Sequence, residues 1–290
     1  MNKQKLLKGD LLIATNRGFI KLSELNKEDL IIIVDNNKYY YDSIDDIEKV
    51  YKKKYKLNKI SFINNFESYL INDNIQIRSI KNLPLSLETP DIPNYLIDNY
   101  YRCLENSPVS LLSSFDFIGF PLNLNENLNE NLKDKYKYLG ISFYLKMINK
   151  SIEDFKESHK EIYEFMNNSY KYNNDININE LHLLNKENLL EFAEGLISIN
   201  NEINIKITDI NNYQIMKFVF LLCGLICNSY YKDGIITIKI NKNVSNKYFI
   251  SNNYIWNKIR NIKKVDFNGN LYNLKLNSGK PYLTEIGIIS

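Results

Sequence analysis

Residues 6–25 read LLKGDLLIATNRGFIKLSEL, and their pattern sets the class of the fold. Leu11, Leu12, Ile13 and Ala14 form a short apolar run, and Asn16-Arg17-Gly18 supplies turn residues. Phe19-Ile20-Lys21-Leu22 then resumes with alternation, which is the signature of a β-hairpin. A three-residue hairpin loop needs positive φ, so Gly18 is the residue expected to provide it. Ser23-Glu24-Leu25 closes the unit before a second polar turn. Moving outward, LIIIV at 30–34 and residues 38–42 read as strands around the turn Asp35-Asn36-Asn37. Residues 45–59 alternate charged with apolar positions. Their run Lys52-Lys53-Lys54 reads as a solvated strand face that discourages edge pairing. Asp42, Asp45, Asp46 and Glu48 just upstream weigh against a nucleic-acid patch there. In SYLINDNIQIRSIKNL (68–83), Asn72-Asp73-Asn74 reads as a hairpin turn between two strands.

The bulk numbers describe a globular chain large enough for two domains. It has 290 residues, 44% of them hydrophobic and 24% charged. No apolar run approaches the length of a membrane span. The bias toward Asn, Ile, Lys and Tyr is what an AT-rich coding sequence produces, as in several large DNA viruses and low-GC bacteria. Three cysteines make no disulfide framework, which predicts a reducing, intracellular location. Cys223 and Cys227 are expected as small buried hydrophobes, four apart on a helix spanning 218–227. Net charge is −1 over residues 1–133, −2 over 134–240 and +6 over 241–290. The middle segment therefore lacks the positive excess that binding a phosphate backbone needs.

Residues 84–121 hold five of the six prolines and read as a loop-and-helix connector. LNLNENLNENL (122–132) follows as a low-complexity linker, and a domain boundary is placed there. From Lys135 the period changes to that of a helix. Tyr138 to Leu145 begins one buried helix, and residues 188–201 form a second with Asn185 as its N-cap. Each carries one interior glycine, Gly140 and Gly195. Because glycine costs a helix about 1 kcal/mol, a close helix–helix contact is expected at both. Strands are expected at 204–207 and 235–240, with an amphipathic helix at 214–227. The two histidines, His159 in a charged helix (152–166) and His182, have no apparent base–nucleophile partner.

With those residues in view, the chain resembles the inteins and hedgehog-type autoprocessing domains. The opening block of that family runs Cys-x-x-Gly-Asp, a strand, a turn with Gly, and I-x-x-L. Gly9-Asp10, Thr15, Gly18 and Ile20-Lys21-Leu22-Ser23-Glu24-Leu25 match it, with Leu6 at the nucleophile. The second splicing block, T-x-x-H, falls on Ile71 and Asn74. The closing blocks resemble Leu271 to Leu276, Asn277-Ser278-Gly279, Tyr282-Leu283-Thr284 and Gly287-Ile288-Ile289, and the sequence stops at Ser290 before the family's His-Asn. The helix pair resembles the LAGLIDADG helices of the homing endonucleases inserted in many inteins, whose metal-binding acids would fall on Leu145 and Asn200.

The resemblance implies a mainly β Hint fold, horseshoe-like, with an inserted α+β LAGLIDADG-like domain. The divisions are 1–133, 134–240 and 241–290. It also implies that every catalytic position is substituted. Leucine offers no lone pair for attack, and neither Leu nor Asn can replace a carboxylate on a divalent ion or the proton-carrying His. The expectation is an inactive intein-like protein without cofactor or metal, kept for a structural or protein-binding role in an assembly such as a large DNA virus particle. The alternative is a residual DNA-binding protein. Its patch would be Lys258, Arg260, Lys263 and Lys264, with Tyr254 and Trp256 to stack on bases.

Overall fold

The computed structural model describes residues 4–35, 38–63, 67–81, 104–122, 133–169, 181, 184–241, 248–251 and 253–290. His182, the LNLNENLNENL segment beyond Leu122 and most of the proline-rich connector lie outside these residues. The protein is mainly β, built on a large antiparallel sheet. It divides into two compact units, residues 1–122 with 243–290, and residues 123–242.

The strands run β1 (Leu7–Lys8), β2 (Leu12–Thr15), β3 (Gly18–Lys21), β4 (Leu30–Asp35), β5 (Lys38–Phe62), β6 (Ser68–Ile71), β7 (Gln76–Ile80), β8 (Leu104–Pro108) and β9 (Phe117–Pro121). They continue with β10 (Glu202–Lys206), β11 (Ile226–Lys232), β12 (Ile235–Asn241), β13 (Tyr248–Ser251), β14 (Tyr254–Leu276), β15 (Tyr282–Thr284) and β16 (Gly287–Ile289). In the first unit the order is β1-β6-β5-β14-β9-β7-β16-β15-β4-β2-β3, with β13 on β14 and β8 on β7. The hairpin at 12–21 is tighter than expected. Thr15 pairs with Gly18, so the loop is Asn16-Arg17 alone and Gly18, at φ 109°, is the first residue of β3. Thr15 Oγ1 donates to the Gly18 carbonyl at 2.8 Å and accepts from the Arg17 N–H at 3.1 Å. The hairpin at 282–289 repeats the device. Thr284 Oγ1 donates to the Gly287 carbonyl at 2.9 Å, with Gly287 at φ 125°.

Two further expectations change. Asn72-Asp73-Asn74 is not a hairpin turn, because β6 pairs with β1 and β5 while β7 pairs with β8, β9 and β16. The turn carries the chain from one set of neighbours to another. Residues 104–121, read as part of a connector, form β8 and β9. Pro108 and Pro121 stand at the last positions of these strands, where a missing N–H breaks little of the ladder.

The first unit also contains a duplicated module that no residue pattern announces. In the first copy the N–H of Leu11 bonds Lys8 O. Those of Leu22 and Ser23 bond Leu11 O and Gly9 O, and a single 3-10 turn at Leu22–Glu24 leads to buried Asp29 and β4. In the second, Ile75 N–H bonds Asn72 O, while Val109 and Ser110 bond Ile75 O and Asp73 O. A 3-10 turn at Val109–Leu111 then leads to buried Asp116 and β9. The two copies meet where Leu7 pairs with Ile71. Asp29 and Asp116 do the same local work: each carboxylate accepts the backbone N–H three residues before it, Asn26 at 2.9 Å and Ser113 at 2.7 Å. The core between the copies is aliphatic, with Leu7, Ile13, Ile31, Ile60, Ile77, Ile118, Ile259 and Ile289 all buried.

The second unit packs helices α1 (Lys133–Ile148), α2 (Lys160–Asn168), α3 (Lys186–Ile197) and α4 (Ile210–Leu222) with the three-stranded sheet β10-β12-β11. Asn185 caps α3, its Oδ1 accepting from Asn188 N at 2.8 Å. The apolar run at 218–227 does not stay helical. Cys223 caps α4, the chain turns through Gly224 at φ 80°, and Cys227 lies in β11. Both thiols are buried, and burial pushes the Cys223 thiol well above its ordinary pKa, which disfavours its thiolate. The charged helix expected at 152–166 breaks at 156–159. His159 occupies the N-cap position of α2, edge-on to Phe155.

Candidate functional site

Leu6 enters the first unit just before β1 and is 1% exposed. It packs with Leu57 and Leu271, flanked by Tyr55, Leu70 and Phe267. Its successor Leu7 sits between two partners, Tyr272 of β14 and Ile71 of β6. Ile71 is also 1% exposed. Three residues on, Asn74 is half-buried and its Nδ2 donates to the Gln4 carbonyl at 3.4 Å. The three positions picked from sequence are thus brought near one another through the neighbours of Leu6, Leu7 pairing with Ile71 and Gln4 bonding Asn74. The Leu6 and Ile71 side chains pack in separate clusters, and 65 residues separate these two positions.

The far end of the chain arrives beside them. Ser290 and Gln76 exchange both backbone hydrogen bonds at 3.0 Å, two residues beyond Asn74. A cavity of about 280 Å³ lies close by, lined by Lys5, Asp45, Asn273, Lys275, Lys280 and Ser290. Lys275 is paired with Asp46 at 3.5 Å and Lys280 with Asp35 at 2.6 Å. Below Asn74 the turn is held by a polar chain. Asn72 Nδ2 donates to the Tyr55 hydroxyl at 2.6 Å, Asn58 Nδ2 donates to Asp73 Oδ1 at 2.6 Å, and Lys264 Nζ reaches Asp73 Oδ2 at 2.9 Å. Chemically this corner offers amides, aliphatic side chains, the Tyr55 and Ser290 hydroxyls, and carboxylates paired with lysines. It contains neither a thiol or hydroxyl at Leu6 nor an imidazole at Asn74 to act on the neighbouring peptide bond.

In the second unit Gly140 of α1 and Gly195 of α3 face each other at the helix crossing. A Cβ built on Gly140 would come 2.2 Å from the Phe192 carbonyl oxygen, and one on Gly195 would come 2.3 Å from that of Lys137. Leu145, five residues beyond Gly140, is buried in α1. Asn200, five beyond Gly195, is exposed and lies past the end of α3, which stops at Ile197 rather than continuing to 201. There Asn200 Oδ1 accepts from Glu202 N at 3.0 Å, and its side chain bonds the Tyr144 hydroxyl. Among the described residues no group of three His, Cys, Asp or Glu side chains is placed to hold a metal ion.

The patch expected in the C-terminal segment is divided. Lys258, Arg260, Lys263 and Lys264 all lie along β14. Trp256, at 2% exposure, lies over Gly119 and stacks on buried Tyr254, ring centroids 5.4 Å apart. Neither ring can stack on a base, so the aromatic half of that patch belongs to the core. Alternation along a strand could not reveal this, because β14 is covered on both faces at its start. No protein-family model matches the chain, and no curated protein matches it. No described helix is long and apolar enough to cross a membrane.

Proposed function

We propose that this chain is an inactivated relative of the Hint autoprocessing domains with a degenerate LAGLIDADG-like insertion, and that it serves as a non-catalytic structural or protein-binding component of an assembly. The observation that carries this reading is that the strand around Leu6 runs beside Ile71 and Asn74, Leu7 pairing with Ile71 and Gln4 bonding Asn74. Leu6, Ile71 and Asn74 are the places where the resemblance puts nucleophile, Thr and His, and their proximity without those side chains supports the reading. The Gly140–Gly195 crossing supports the same history for the insertion, with Leu145 and Asn200 where the carboxylates would stand. A protein kept for its shape needs its packing rather than its catalytic groups, and Leu6 contributes to that packing. Replacing a polar nucleophile with a buried leucine adds about 2 kcal/mol of apolar burial at a site that no longer needs access to water.

The test is to express the chain with short sequences fused at both ends and to follow its mass over days at neutral pH, with and without added thiol. A single intact species supports the proposal. Any product cleaved or spliced at either junction would sink it.

A further inference from the structure

The longest paired element among the described residues is the ribbon of β5 and β14, which runs from Ile44 opposite Leu276 to Phe62 opposite Ile259 with three shifts of register. Residues 49–62 carry six lysines and no acid, and residues 258–270 carry four basic residues and one acid. Three of the four upstream acids that weighed against a phosphate-binding role are engaged by neighbouring side chains or backbone. Asp42 accepts from Ser278 N at 3.1 Å and from its hydroxyl, Asp46 pairs with Lys275, and Glu48 accepts from Gln4 Nε2 at 3.3 Å and Asn273 Nδ2 at 3.4 Å. Asp266 is taken by Lys56 at 2.7 Å. Among the described residues Lys49, Lys52, Lys53 and Lys54 form no ion pair.

This stretch is also built rather than loose. The register steps from Tyr55–Phe267 to Lys52–Gly269, leaving Lys53 and Lys54 in a bulge. Lys54 sits at φ 50°, and its N–H is held by Asn268 Oδ1 at 2.7 Å. Lys52 lies 5.8 Å over the Tyr55 ring and Lys49 lies 5.9 Å over Tyr272, so both stems are propped on aromatics. Tyr51 stands between them, 65% exposed. Discouraging edge pairing takes a charge or two. Four lysines around an exposed tyrosine exceed that need.

We infer that the middle of the β5–β14 ribbon, Lys49 to Lys54 with Tyr51, docks on the phosphate backbone of duplex DNA. Strand β1 joins β14 opposite Lys49 and Val50, but from Tyr51 to Lys56 the described ribbon is two-stranded. A two-stranded ribbon fits the B-form major groove, about 12 Å wide, whereas the deep, narrow groove of A-form RNA excludes it. Lysines spread over six residues span roughly 17 Å along the strand, enough to meet several phosphates. The inference is independent of the ancestry proposed above, because the charge and the bulge are present whatever the chain descends from.

Fluorescence anisotropy with a labelled 24-base-pair duplex tests it on the full chain. The wild type should bind at 50 mM salt with a Kd of ~10⁻⁵ M or below and weaken steeply by 200 mM. K49Q/K52Q/K53Q/K54Q should bind at least tenfold more weakly at 50 mM, with the slope of log K against log salt reduced by about 2 or more. K53Q/K54Q, confined to the exposed bulge, should fall between them and melt at the wild-type temperature. K156Q/K206Q/K232Q, in the second unit, should bind as wild type. The inference is overturned if the wild type does not bind at 50 mM salt, or if the ribbon variants keep wild-type affinity and slope. It is equally overturned if the second-unit variant is the one that loses binding, or if phosphatidylserine vesicles are bound and the duplex is not.

Discussion

Gly140→Ala should destabilise the second unit, against the ordinary helix-propensity effect. In a free helix the substitution stabilises by about 1 kcal/mol. Here the added methyl would lie 2.2 Å from Phe192 O, 3.0 Å from Leu196 N and 3.1 Å from Gly195 Cα. All three are backbone atoms, so no side chain can swing aside. Restoring ordinary contact, which begins near 3.4 Å, means parting α1 and α3 by roughly 1 Å. A gap of that size forfeits about a quarter to a half of each dispersion contact across the crossing. Phe192, Leu196 and Ile141 are all fully buried there. Overpacking typically costs about 1–3 kcal/mol, and rigid backbone on both sides places this case at the upper end. The net expectation is a loss of about 2 kcal/mol. Urea unfolding followed by circular dichroism at 222 nm isolates the effect, because every described α-helix lies in the second unit while the only tryptophan, Trp256, reports on the first. Gly195→Ala should behave alike. The double variant should lose less than the sum, since helices already parted accept the second methyl more easily. An unchanged or raised midpoint for Gly140→Ala would refute the close crossing.

Other substitutions probe the first unit and the helix ends. Burial by itself would raise the Asp29 carboxyl, but the Arg17 guanidinium and the Asn26 N–H together hold it below the ordinary carboxylate range. That contribution is present above the unfolded pKa of about 4 and is lost as pH falls through the folded value. Arg17→Met should therefore move the acid-unfolding midpoint to higher pH, and an unmoved midpoint in Trp256 fluorescence would count against the pair. Gly119→Ala would place a methyl 2.5 Å from the buried indole, so a loss of about 1–3 kcal/mol with a shifted emission maximum is expected. Asn185→Ala removes the cap of α3 and should cost about 1 kcal/mol, read at 222 nm.

What could be read from the residues was local. Turn residues between alternating runs gave the hairpin at 12–21, the family resemblance gave the closing segments at 282–284 and 287–289, and Asn185 announced its helix. The glycines at 140 and 195 announced their contact, because an unexplained cost in an apolar helix asks for a compensating approach. Features without a local marker stayed hidden. Strand β11 begins inside an apolar run continuous with α4, and periodicity cannot separate a buried helix from a buried strand over so few residues. The duplicated module escaped because its copies share backbone hydrogen bonds rather than side chains, and because residues 82–103 interrupt the second. The basic ribbon was obscured by neighbouring acids in sequence, of which Asp42, Asp46 and Glu48 are engaged by residues 273–278 and Gln4. Trp256 looked available because a strand's pattern does not say what covers its faces.

The central claim is that the geometry of a self-processing site persists at Leu6, Ile71 and Asn74 without its chemistry. The most direct measurement restores the three side chains together, as Leu6→Cys, Ile71→Thr and Asn74→His, in a chain carrying a cleavable tag ahead of residue 1. The introduced thiol would attack the carbonyl of Lys5, its proton passing to base and the peptide nitrogen taking one up. The resulting thioester yields to hydroxylamine. The account predicts release of the tag with residues 1–5, seen by mass spectrometry, from the triple variant and from neither the wild type nor Leu6→Cys with Asn74 left in place. A folded triple variant that stays intact in hydroxylamine would contradict it.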